Sequence, residues 1–281
     1  MTIYIKDLEN EKLTFLEKIK VKLRILLIRQ IDDNRKVMLL PNLENEKKII
    51  KINKKISKYP NSKIVLSKKL KKYENQIENN IIKGKIVQKA MIHKILKLVA
   101  TNLKTQDIYI LSKKYDLDVV KLSQQYIEKV KTVNIVTNEI SKYKKLEEQI
   151  YNEKGILITI TNNKKKSLKK AKLIINMDFN NEEINKYNIC RNSIIINISN
   201  NKVDKITAFE GIIVNNVQVE LDEQLRNLCI NDGLYGFFEN SELYESLVGE
   251  KIQNDKIRLK EIVGNNGIIS FNEIQNKLVY K

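Results

Sequence analysis

The chain has 281 residues, 42% hydrophobic and 31% charged, and carries 52 Lys and Arg against 34 Asp and Glu for a formal charge of +18. That balance describes one large or two medium globular domains. It excludes a bilayer-spanning segment, since even Val21 to Ile31 is short and interrupted by Lys22, Arg24 and Arg29. One histidine and two isolated cysteines, Cys190 and Cys229, exclude a disulfide framework and a zinc site with ordinary nitrogen and sulfur ligands.

Almost all of the excess charge is lysine, because arginine occurs only at Arg24, Arg29, Arg35, Arg191, Arg226 and Arg258. Lysine, isoleucine and asparagine are raised together, as expected when an A+T-rich genome biases exchange at tolerant positions. The same lysines attract polyanions, so compositional drift and a nucleic-acid or acidic-protein partner both stand as readings.

In chain order, Thr2 to Ile5 reads as a first strand. Met1 to Asp7 lacks a charged stretch followed by an apolar one, so a cytoplasmic protein without a membrane partner is expected. Glu11 to Lys22 reads as a helix with Leu13, Leu16, Ile19 and Leu23 turned inward. Ile25 to Ile28 and Val37 to Leu40 read as strands, the second ended by Pro41. Asp32-Asp33 beside Asn34 reads as a turn rather than an acid/base pair. Glu46 to Tyr59 is a helix stopped by Pro60, and Lys63 to Leu66 a further strand. Residues 1–84 thus predict a small α/β domain. Residues 85–104 predict a connecting helix, with His93 on its surface beside the stripe of Val87, Met91, Ile95 and Leu98.

Residues 105–200 then predict an α/β fold, a Rossmann-like parallel sheet of five strands within 107–199. The strands are Ile108 to Leu111, Val133 to Val136, Ile156 to Ile160, Leu173 to Asn176 and Ile194 to Ile198. Between them Val119, Leu122, Tyr126 and Val130 share one helical face, and Ile140, Tyr143, Leu146 and Ile150 another. In such sheets the turn after the first strand carries glycines, so that backbone amides can approach a pyrophosphate. Here it reads Ser112-Lys113-Lys114-Tyr115-Asp116, and no glycine occurs between Gly84 and Gly155.

Residues 201–281 predict a mixed α+β portion that packs back on the rest. Ile212 to Val214 and Val217 to Val219 flank Asn215-Asn216 as a tight hairpin would. Leu221 to Ile230 reads as a helix. Asn265-Asn266-Gly267 between apolar runs reads as a turn more readily than as a phosphate-clamping loop of an RNA-binding module.

The segments Thr132 to Asn138, Leu173 to Asp178 and Ser193 to Ser199 resemble the NAD(P)-binding domain of the shikimate/quinate dehydrogenase and glutamyl-tRNA reductase type. Val136-Thr137-Asn138 falls where that family's second strand ends in an Asn-Arg-Thr-like motif. Ile174-Ile175-Asn176 falls where it has an Ile-Ile-Asn-Ala-Thr-like motif. The resemblance implies a substrate domain, a connecting helix, a Rossmann domain and a returning C-terminal portion. It also implies departures: the glycines are absent, Glu139 replaces the arginine that would face the adenosine phosphate, and Met177-Asp178-Phe179 replaces a small residue, threonine and proline. Neither the family's catalytic lysine nor its nucleophilic cysteine is present in context.

The expectation is a degenerate dehydrogenase homologue with a binding or regulatory role. An oxidoreductase using NAD(P) is disfavoured by the glycine-free loop, and no cofactor is expected. A retained ligand would lie at the carboxyl ends of the strands, against Ser112, Lys113, Asn138, Thr161, Asn162, Asn176 and Asp178. Lys164, Lys165, Lys166, Lys169 and Lys170, read as a basic helix, are the candidate nucleic-acid contact.

Overall fold

The computed structural model describes residues 1–9, 11–99, 103–249, 253, 256–270 and 273–274. The chain forms two compact units, Met1–Val87 with Val219–Arg258, and Gln88–Gln218 with Leu259–Lys281.

The first unit begins with β1 (Thr2–Asp7), α1 (Phe15–Lys22), β2 (Leu27–Gln30), β3 (Arg35–Leu40), α2 (Asn45–Ile56), β4 (Lys63–Leu66) and β5 (Asn80–Ile81). The sheet order is β2-β3-β1-β4-β5, parallel except that β2 runs antiparallel to β3. Because side chains alternate along a strand, Ile3, Ile5, Met38, Leu40, Ile64 and Leu66 share one face. Ile52 and Ile56 of α2 pack there with Leu70, Tyr73 and Ile77.

The second unit opens with the end of α3 (Lys85–Ala90) and with α4 (Ile92–Val99), where the sequence predicts a single connecting helix over 85–104; residues 100–102 lie outside the described residues. It contains β6 (Asp107–Leu111), α5 (Leu117–Tyr126), β7 (Thr132–Val136), α6 (Ile140–Lys154), β8 (Thr159–Thr161), β9 (Leu173–Asn176), α7 (Asn181–Ile184), β10 (Ile194–Asn197) and β11 (Ile212–Val214). These strands form a wholly parallel sheet ordered β11-β10-β9-β6-β7-β8. Counted along the chain this is the 3-2-1-4-5-6 order of the doubly wound Rossmann type, with the switch point between β6 and β9. The fold is therefore α/β, as the alternation of short apolar runs and amphipathic segments predicts. Register aligns Tyr109, Ile174, Ile195 and Ile213 across four strands, a row covered by Leu168, Phe179, Ile184, Tyr187 and Val203. Each fully buried isoleucine of such a row contributes about 2 kcal/mol from apolar burial.

The chain continues with β12 (Asn216–Leu221), α8 (Glu223–Asn231), α9 (Asn240–Val248), β13 (Ile257–Gly264) and β14 (Gly267–Ile269), and β12-β13-β14 form a third, small sheet. The unit boundaries fall inside α3, β12 and β13. Within residues 219–249, Gly233, Phe238 and Ser246 pack on the second face of the first sheet. The Tyr4 ring meets Phe238 edge-on at 5.6 Å, its hydroxyl bonds Ser246 at 2.8 Å, and Lys6 Nζ donates to the Gly233 carbonyl at 2.7 Å.

Four local expectations are corrected. The predicted hairpin at Asn215-Asn216 does not form: Ile212–Val214 is the sixth parallel strand, and Asn216–Leu221 belongs to the small sheet. A three-residue run buried throughout suits the parallel sheet rather than a half-exposed ribbon. The third parallel strand is Thr159–Thr161 rather than Ile156 to Ile160, and Leu157 is 68% exposed. Residues 164–170 are turns and not a basic helix: the Asn163 side chain accepts the amides of Lys165 and Lys166 as a helix N-cap would, but the turns it starts do not continue into a helix. Finally, α1 buries none of its residues. Leu16, Ile19 and Leu23, expected inward, face solvent, because both faces of the first sheet are covered by other elements.

Candidate functional site

The sheet places the predicted rim residues at the carboxyl ends of its strands, and the loop after β6 is the centre of the arrangement. Ser112 is fully buried, and its hydroxyl donates to the Lys114 carbonyl at 2.7 Å. The Lys113 amide donates to Asp178 Oδ1 at 2.8 Å, and its ammonium pairs with Glu183 at 2.7 Å. The Tyr115 amide donates to Glu139 Oε2 at 2.7 Å. The Asp116 amide donates to the Tyr143 hydroxyl at 3.0 Å, and Asp116 itself caps α5 by accepting from the Asp118 amide at 2.7 Å.

The amides of Lys113, Tyr115 and Asp116 lie in the turn leading into α5, where a glycine loop would offer bare amides to a pyrophosphate. Here the chain supplies their acceptors, two of them carboxylates. The Tyr115 amide, and then Lys142, hold the Glu139 carboxyl below its ordinary range, so it is anionic at neutral pH. Burial pushes Asp178 upward, and the Lys113 amide and charge pull against that rise. An incoming phosphate would have to displace both carboxylates and remain beside them. Two like charges about 4 Å apart near a protein surface repel by about 4 kcal/mol.

Other predicted residues are committed to structure. Asn138 is exposed, and its amide donates to the Lys113 carbonyl at 3.3 Å. The Thr161 hydroxyl accepts the Asn163 amide at 3.1 Å and lies 3.3 Å from the Ser167 hydroxyl, while Asn162 is exposed. Asn176 is fully buried: its carbonyl accepts the Phe179 amide at 3.0 Å, and its NH2 donates to Phe179 O at 2.9 Å and Asn197 Oδ1 at 2.8 Å. Asn197 in turn donates to Asn215 Oδ1 at 2.7 Å, and Asn215 to Asn265 Oδ1 at 2.5 Å. This relay of side-chain amides runs along the carboxyl ends of β9, β10 and β11, and buried amides linked in this way reinforce one another. Sequence reasoning singles out Asn176 but not the relay's other members, Asn197, Asn215 and Asn265, which lie far from it along the chain.

The basic residues form a separate feature at the β8 edge. Lys164, Lys165, Lys166, Lys169 and Lys170 are all exposed, and no ion pair to them occurs among the described residues. His93 is half-buried on α4 with its ring 5.9 Å from that of Tyr126, and burial lowers its pKa. Both cysteines are free thiols, and burial pushes Cys229 up to about 11. Among the described residues no group of three or more His, Cys, Asp or Glu side chains could hold a metal ion. No helix among them is long and apolar enough to cross a membrane.

One further opening was not predicted. At the carboxyl end of the first sheet a cleft of about 650 Å³ lies among Asp7 at the end of β1, Glu9 after it, Asn42 after β3, Lys48 on α2, and Lys69 and Lys72 in the 3-10 segment Lys68–Gln76. Lys48 pairs with Asp7 and Lys69 with Glu9, each at 2.6 Å. In the sequence the cluster Lys68-Lys69 and Lys71-Lys72 reads as a solvated face rather than as the wall of a cleft. No protein-family model matches the chain, and none of the curated proteins does.

Proposed function

We propose that this chain is a degenerate dehydrogenase homologue of the shikimate/quinate dehydrogenase and glutamyl-tRNA reductase type, serving as a binding or regulatory protein that works without a dinucleotide. The observation that carries the reading is the pair of carboxylates, Asp178 and Glu139, held by the amides of Lys113 and Tyr115 where a phosphate would sit. The open cleft of the first unit, with paired charges of both signs and Asn42 and Asn45 beside them, suits a small polar ligand.

Titration of the protein into NADPH or NADH at moderate ionic strength, followed by nicotinamide fluorescence, tests this directly. No saturable change is expected up to about millimolar protein, and a dissociation constant near a micromolar, about −8 kcal/mol of binding, would overturn the reading. A second reading, a nucleic-acid-binding protein, is favoured by the exposed lysines at positions 164, 165, 166, 169 and 170. Salt-dependent oligonucleotide binding discriminates between the two.

A further inference from the structure

α1 is amphipathic in the reverse of the usual sense. A capping box between Thr14 and Glu17 starts it: the Glu17 amide donates to Thr14 Oγ1 and the Thr14 amide to Glu17 Oε2. Its polar side is then pinned to the body of the first unit. Arg29 of β2 pairs with Glu17 at 2.9 Å and with Glu11 at 2.8 Å, and Glu11 also pairs with the buried Lys6 at 2.6 Å. The apolar side is left free, with Phe15 77%, Leu16 68%, Leu23 66% and Ile19 41% exposed, and Ile25 just beyond the helix 46% exposed.

At about 100° of rotation per residue, Phe15, Ile19, Leu23 and Leu16 fall within one arc of about 100°. Lys18 and Lys22 fall along one border of that arc and Lys20 along the other, all three exposed, while Glu17 lies on the opposite side. A ridge of large apolar side chains fringed by lysines on both borders has the pattern of a helix lying in the plane of a lipid interface. There the apolar arc enters the acyl boundary, and the lysine stems lie along it with their ammonium groups at the headgroups. The lysine borders require the surface to be anionic. They also argue against a second copy of this chain, whose own lysines would face them across the contact.

We infer that α1 is an in-plane anchor that seats this protein on an anionic membrane surface. The test uses the full chain and sedimentation with vesicles of phosphatidylcholine alone or with about 30% phosphatidylserine. Binding is expected to the anionic vesicles only, and to weaken as salt rises from about 0.1 M to about 0.5 M. Leu16→Ser with Leu23→Ser is expected to weaken it about tenfold or more. Both side chains are exposed, so circular dichroism and thermal unfolding should be unchanged in that variant. Lys18→Gln, Lys20→Gln and Lys22→Gln together should likewise weaken binding, without loss of fold.

Three results would overturn the inference. The first is absence of binding to vesicles of either composition, which would leave an acidic protein groove as the occupant. The second is anionic binding untouched by the leucine variant, which would mean adsorption through lysines elsewhere. The third is a dimer in sedimentation equilibrium that the leucine variant dissociates, which would assign the ridge to a second copy.

Discussion

Glu242 carries the clearest electrostatic consequence of any single side chain. It lies on α9 at 3% exposure, one oxygen 2.7 Å from the Lys71 ammonium and the other without a hydrogen-bond partner. Burial pushes its pKa up to about 7 against an ordinary 4.5, and the attraction of Lys71 offsets only part of that rise. The folded state therefore holds this proton up to about pH 7, whereas the unfolded chain releases it near 4.5. The associated stability is full below about pH 4.5 and is lost as pH rises through about 7, a change of about 3 kcal/mol. Glu242→Gln keeps the shape without the charge, and Lys71, being partly exposed, retains water. The variant is expected to gain about 1–3 kcal/mol at pH 8 and almost nothing at pH 5, read as the shift in urea midpoint at the two pH values. A gain of the same size at both pH values would refute the assignment. Nothing in Asn-Ser-Glu-Leu-Tyr marks this glutamate as buried. Its neighbours Leu243 and Tyr244 signal a core helix, but which carboxylate shares their burial depends on how α9 lies on the first sheet.

Among the elements, β11 depends on close approach at one point. Gly211 enters the strand where a Cβ would stand 1.9 Å from the Ser193 carbonyl oxygen and 2.5 Å from the Phe209 ring, and that oxygen accepts the Ile212 amide at 3.0 Å. The requirement is for space rather than for a left-handed backbone. Gly211→Ala should push the edge strand away and cost about 2–4 kcal/mol. Thermal unfolding would detect it, with faster amide exchange at Ile212 to Val214, and unchanged exchange there would remove the packing argument. The same strand marks how legible the elements were. The five expected parallel strands are present, with bounds shifted most at β8, because runs such as Leu173 to Ile175 are apolar on both faces and only a sheet covered on both faces accommodates that. Ile212 to Val214 was misread because Asn215-Asn216 carries a hairpin signal in itself, and only the neighbouring β10 shows that the chain leaves one sheet for another there. α1 failed differently: its period was correct and its direction was reversed. Periodicity locates an apolar face but not what that face meets, and here α2 and the 219–249 segment already cover both faces of the first sheet.

At the scale of the whole molecule the charge of +18 predicts salt-sensitive adsorption to polyanions whatever the function. Fluorescence anisotropy with a labelled single-stranded oligonucleotide separates adsorption from a site. If Lys164, Lys165, Lys166, Lys169 and Lys170 form one, changing the first three to Gln should lower the slope of log K against log salt by about 2. An unchanged slope, or no binding at about 150 mM salt, would sink the nucleic-acid reading. By itself the sequence determined the α/β class, the parallel strands of the second unit, the absence of a glycine loop after Leu111 and the lysine excess, because each is a local pattern or a composition. Only the tertiary structure decided what fills the glycine-free loop. Its acceptors, Glu139 and Asp178, lie 24 and 65 residues further along the chain. Hydrogen bonds closed over such separations follow from the order in which strands assemble, which no window of residues carries. The same holds for the cleft of the first unit and for the outward apolar face of α1, since exposure is set by the elements that have already covered the sheet.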